Sequence, residues 1–184
     1  MPMRHFDEAI RPNSKGNSVS DIEAEDIYWM RRALRNARMG NAAAGGSPIG
    51  CVIARDGAII GEGYNEVDLR CDPTAHAEIV ALRRAGKQLR SSEFRGATLY
   101  SPLHPCGMCS MASNWAKIGR IVYGAGRGDV HSMYFEDRHM NTIDFIRDAY
   151  RDDLSLRGGV LAEECAALYF PPDADIPRDQ QFNR

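Results

Sequence analysis

Apolar side chains recur at Ile27, Met30, Leu34 and Ala37, the spacing of one helical face, and they predict a helix from Ser20 to Met39. Ser20 followed by Glu23 has the spacing of a capping box at its start, and Gly45-Gly46-Ser47-Pro48 ends the region. Two apolar runs, Ile49 to Arg55 and Ala58 to Tyr64, flank Asp56-Gly57, which predicts two strands joined by a tight hairpin. A loop holding Asp68 and Asp72-Pro73 follows. Residues 75–85 then read as a helix with Ile79, Ala81 and Leu82 turned inward. Thr98 to Ser101 reads as a short strand, Pro105 as the first turn of a helix reaching about Lys117, and Ile121-Val122-Tyr123 as another strand. Strand, helix and strand in close succession predict parallel crossovers, hence an α/β fold with helices covering a sheet. The polar, breaker-rich residues 1–19 read as a flexible lead-in, residues 20–170 as one folded domain and residues 171–184 as a tail.

Composition narrows the setting. A chain of 184 residues suits a single domain with a full core. No apolar run reaches membrane-spanning length, the N-terminus lacks a secretory segment, and five cysteines do not resemble a disulfide framework, so a cytoplasmic protein is expected. The net charge of −2 comes with a run of acids in the last third, from Asp129 to Asp175, which argues against a surface built to grip nucleic-acid phosphates. Arg31-Arg32, Arg35, Arg38 and Arg83-Arg84 lie at helical spacing and read as solvated faces.

The chemistry concentrates in two segments, Thr74-Ala75-His76-Ala77-Glu78 and Pro105-Cys106-Gly107-Met108-Cys109. His76, Cys106 and Cys109 are ligands that a zinc ion (Zn2+) accepts, and three protein ligands leave one tetrahedral position open for water. Glu78 is not needed for coordination, whereas a carboxylate beside a zinc site is what proton shuttling requires. If both segments begin helices, the ligands converge across the sequence and the helix dipoles favour thiolates. A closed structural site would need a fourth ligand, for which Cys51, Cys71, Cys165, His104, His131 and His139 are available; a redox Cys-x-x-Cys would have no use for His76 and Glu78. His-x-Glu followed by Pro-Cys-x-x-Cys is the signature of zinc-dependent base deaminases. No nicotinamide, flavin or phosphate-binding glycine motif accompanies it, so zinc is the cofactor expected.

These motifs and their order resemble the cytidine deaminase-like superfamily over about residues 27–170. Asp72 to Ile79, Ile118 to Ala125 and Gly159 to Leu168 are similar to the tRNA adenosine deaminases within it. Trp115 with Ala116, and Phe135-Glu136-Asp137, are similar to guanine deaminases, and Thr142 to Asp153 fills a region that is shorter in the tRNA enzymes. The resemblance implies a three-layer α/β/α sandwich around a central mixed sheet, one zinc per subunit and a homodimer. It also implies that Asn65, Ala77, Trp115 and Asp137 contact the base. Two positions depart from the pattern: His104 stands where the family usually has glutamate, and Pro48-Ile49-Gly50 where it has Pro-Phe-Gly or Pro-Val-Gly. His104 is expected as a solvent-exposed loop residue. The expected activity is hydrolytic deamination of a free nucleobase, a guanine-like purine or a related heterocyclic amine. The alternatives are wobble-adenosine deamination in tRNA, a nucleoside or cytosine deaminase, and a zinc module without catalysis.

Overall fold

The computed structural model of the chain describes residues 19–135 and 141–181. Its first helix, α1 (Val19–Ala42), is already helical at Val19, so Ser20 lies within the helix and is not its cap. A capping pattern marks a possible start, but the helix continues until something competes for its backbone groups. The hairpin of β1 (Ser47–Arg55) and β2 (Ala58–Asn65) turns through Asp56 and Gly57, with φ of 53° and 72°. Two successive positive φ values in a two-residue loop are what the Asp-Gly pair anticipates.

The segment expected as a plain loop contains a single helical turn, α2 (Val67–Arg70), before α3 (Ala77–Leu89). Then come β3 (Thr98–Leu103), α4 (Gly107–Trp115), β4 (Arg120–Ala125), α5 (Thr142–Ala149), the short β5 (Ser155–Arg157) and α6 (Ala162–Ala166). The strands form one mixed sheet in the order β2-β1-β3-β4-β5. Strand β1 runs antiparallel to β2 and β3, whereas β3, β4 and β5 run parallel.

Alternation along the strands sorts side chains onto two faces. Val52, Tyr100 and Val122 meet Trp29, Met30, Ala33 and Leu34 of α1 on one face. Cys51, Ile53, Leu99 and Ile121 meet Ala77, Ala81 and Ala85 of α3 and Ile143 and Ile146 of α5 on the other. The result is the three-layer sandwich that the resemblance implied. Glycines set how closely the layers approach: a Cβ on Gly50 would come within 2.2 Å of the Ala33 carbonyl oxygen, and one on Gly61 within 2.3 Å of that of Ala81.

A buried carboxylate fastens α1 to three strands. Asp26 Oδ1 accepts from the Tyr100 hydroxyl at 3.2 Å and Arg120 Nη1 at 2.7 Å, while Oδ2 accepts from Arg157 Nη1 at 3.1 Å. The arginine clusters are likewise partly tied into the fold. Arg32 forms a two-pronged pair with Glu62, and Arg84 Nη2 donates to Glu66 Oε1 at 2.7 Å. Among the described residues, no helix is long and apolar enough to cross a membrane.

Candidate active site

Both motif segments start helices. His76 is the N-cap of α3 and Cys106 the N-cap of α4, each with extended backbone, and neither side chain caps its own helix. Pro105 therefore precedes the cap and does not open the first turn; extended backbone before the helix suits proline's fixed φ equally well. Freed from capping, the side chains face each other. His76 Nδ1 lies 3.7 Å from Cys106 Sγ and 3.7 Å from Cys109 Sγ, which sits one turn into α4. The three ligand atoms all lie within 4.8 Å of one another.

Glu78, on the first turn of α3, is 4% exposed and stays outside that ligand group. Its Oε1 accepts from Ser101 Oγ at 3.2 Å, and its Oε2 accepts from Cys109 Sγ at 3.5 Å. Burial raises its pKa, and the negative charge of Cys106 raises it further. The Cys106 thiol is pulled down to about 4, chiefly by the hydrogen bond from Cys109 and then by that from His76. The donating Cys109 thiol is pushed up by the same bond and by burial. The bond to Cys106 raises His76 against the opposing effect of its burial. Two cysteine sulfurs and an imidazole nitrogen at this spacing match the donor set that zinc takes, the cysteines binding as thiolates. Cys51, Cys71, Cys165, His104 and His131 are not in the group, so no closed four-ligand site forms among the described residues.

Beside His76 opens a cavity of about 560 Å³ lined by Pro48, Ile49, Asn65, Asp68, Tyr134 and Tyr169 among others. Asn65 reaches it because Glu66 N–H donates to the Ala75 carbonyl at 2.9 Å, tying the end of β2 to the residue before His76. Asn65 Oδ1 accepts from Val67 N–H at 3.1 Å. Another part of the lining is residues 167–170, which follow α6. They are held by His131 N–H donating to the Phe170 carbonyl at 2.8 Å and Phe170 N–H donating to the Tyr134 hydroxyl at 3.3 Å.

The profile of the cytidine and deoxycytidylate deaminase zinc-binding region matches residues 23–125, more than half of the chain. The chain belongs to this deaminase family. The tRNA-specific adenosine deaminase of Haemophilus influenzae is 40% identical over 147 residues, covering 77% of this chain and 79% of that protein. The guanine deaminase of Bacillus subtilis is 41% identical over 109 residues, covering 59% of this chain and 70% of that protein. Among solved structures, a protein from a study of A-to-I editing by tRNA:A34 deaminases superposes with a TM-score of 0.66. It is 30% identical, over 77% of this chain and 98% of its own. This deaminase is thus a zinc-dependent hydrolase of a C–N bond in a nucleobase or nucleoside. Its His76, Cys106 and Cys109 are positioned to bind the metal.

The residues singled out from the sequence divide in space. Asn65 and His76 line the cavity, and Ala77 is fully buried at the start of α3. Trp115 is 63% exposed at the end of α4, its ring edge-on to Tyr150, and is not among the cavity's lining residues. Asp137 lies outside the described residues. His104 is not the exposed loop residue expected: its ring packs edge-on against Tyr123 at 4.7 Å, with Phe135 beyond. Sequence reasoning missed Ser101, Asp68, Tyr134 and Tyr169. None carried a clear signal: β3 has hydroxyls at Thr98, Tyr100 and Ser101 alike, and only the folded chain brings the other three residues to the cavity.

Proposed function

We propose that this deaminase acts on a free nucleobase or a related heterocyclic amine, a guanine-like purine being the leading candidate, and releases ammonia. The observation that carries this reading is the charge of the cavity wall. Among the described residues that line it, none is lysine or arginine, and the carboxylate among them is Asp68. A polynucleotide must bring its phosphates to the rim of such a site, where cations would be expected. A neutral heterocycle needs only shape and hydrogen-bond partners.

In this reading His76, Cys106 and Cys109 hold zinc, which when bound supplies Lewis-acid activation of the hydrolytic water. Glu78 moves the protons. Its raised pKa suits a carboxyl group that must take a proton and give it up again during one turnover. Ser101 holds one carboxylate oxygen, so the group is aimed before substrate arrives. Asn65 offers its side-chain amide to the base. The remaining expectations, that residues 20–170 form the catalytic unit and that Trp115 and Asp137 touch the base, belong to the same proposal. So do a homodimer and a cytoplasmic setting. Exposed Trp115, Phe145 and Tyr150 form an aromatic surface that a second copy can cover.

A second reading, deamination of the wobble adenosine in tRNA, is favoured by the Haemophilus influenzae relative, whose 40% identity extends over the longer part of the chain. Ammonia release from guanine, adenine and cytosine, beside inosine formation in an anticodon stem-loop, separates the two. Turnover of a free base with an unmodified stem-loop is expected. Stem-loop conversion that weakens steeply with salt, with no free base turned over, would establish the second reading instead.

A further inference from the structure

Tyr169 stands three residues beyond the end of α6, in the lining of the cavity beside His76. Its ring is 8% exposed and packs within the cluster on the α1 face of the sheet, edge-on to Tyr134 with centroids 5.1 Å apart. Packing accounts for the ring but not for its oxygen. The hydroxyl is buried and has no hydrogen-bond partner among the described residues, although phenylalanine would fill the same space without that penalty. Tyr169 lines the cavity together with His76 and Asn65. Burial, and then the nearby charges of Cys165 and Glu78, push the phenol well above its ordinary range, so it remains a neutral donor at working pH. Asn65 borders the same cavity with its Oδ1 already accepting from Val67 N–H, which leaves its side-chain N–H groups as the ones to offer. Asn65 and Tyr169 thus border one cavity.

We propose that the Tyr169 hydroxyl is a substrate-binding group, donating a hydrogen bond to an acceptor on the ring of the amino-heterocycle, a carbonyl oxygen or an unprotonated ring nitrogen. The inference rests on the reading of this cavity as the base-binding site. It selects flat heterocycles that offer acceptors to both Tyr169 and Asn65 over those that present only donors and C–H edges.

The test is Tyr169→Phe in the zinc-loaded protein, which removes one oxygen and leaves the ring. The measurements are kcat and KM for ammonia release from guanine, adenine and cytosine, together with the thermal midpoint. On each base that the wild type accepts, kcat/KM is expected to fall about tenfold or more, carried mainly by KM, with a midpoint equal to or above that of the wild type. A kcat/KM within twofold of wild type overturns the proposal, because the hydroxyl then serves no substrate. A lowered midpoint also overturns it, since the oxygen would then have a structural partner. If the wild type turns over none of the three bases but converts the anticodon stem-loop, the free-base reading fails. The same pair of proteins compared on the stem-loop adenosine then decides the role of Tyr169 separately.

Discussion

Glu78 is a carboxylate in a place where burial alone would be a liability, and Ser101 Oγ donates to one of its oxygens. Because it lies outside the ligand group, its role can be separated from metal binding. Glu78→Gln should leave one zinc per chain by metal analysis while turnover falls by about a hundredfold to ten-thousandfold. Unchanged turnover in that variant would remove Glu78 from the mechanism. A second carboxylate acts earlier in the motif. Asp72 Oδ1 accepts from Thr74 N–H at 2.8 Å and Thr74 Oγ1 at 2.6 Å, and Oδ2 accepts from Arg83 at 3.0 Å. The two Thr74 bonds, with Arg83 adding to them, lower its pKa to about 2. A depressed carboxylate stabilises the fold above its unfolded value of about 3.9, and that contribution is lost as pH falls toward the folded value. The midpoint difference between the wild type and Asp72→Asn should therefore be constant above about pH 5 and shrink between about pH 4 and pH 2. A difference that persists at pH 2 would mean the turn does not depend on the carboxylate charge.

At the scale of elements, legibility followed length and local chemistry. The hairpin could be read because two apolar strands flank a dipeptide that tolerates positive φ at both positions. The converging ligands could be read because two helix starts, each with a fixed spacing, leave little freedom in where their first side chains point. Helix α2, at four residues, is too short to display a 3.6-residue period, and β5, at three, exists because β4 offers it an open edge. Residues 167–170 gave no sign that they border the cavity, because their place there depends on bonds to His131 and Tyr134, more than thirty positions away. The contact of α3 with β2 carries its own test. Gly61→Ala would drive a methyl group into the Ala81 carbonyl and the Ala85 backbone, which cannot yield without moving the helix that carries His76 and Glu78. Overpacking of this kind costs about 1–3 kcal/mol. The variant should show both a lower thermal midpoint and a lower kcat, whereas Gly57→Ala, at a turn with nothing within 4 Å, should touch only stability. Normal kcat in a folded Gly61→Ala protein would show that α3 can shift without disturbing the site.

For the whole molecule, the two ligand-bearing helix starts forgo side-chain caps. Metal removal should therefore be felt beyond chemistry. A ligand that binds only the folded chain adds about 2.7 kcal/mol at a free concentration a hundredfold above its Kd. In a domain of this size that corresponds to about 5–10 °C. Stripping zinc with a chelator should lower the thermal midpoint by that order, and adding zinc back should restore it. An unchanged midpoint would mean that the zinc ligands contribute nothing to holding α3 and α4 together. The cavity itself has two origins. Its chemical side comes from His76 at the start of α3, whose spacing to Cys106 and Cys109 tolerates little change. Its other side comes from residues 167–170 and from Tyr134, held by hydrogen bonds that touch none of the ligands. Inheritance can treat the two sides separately. A lineage can exchange one substrate for another by replacing side chains in the ceiling, one at a time, while the floor passes down unaltered.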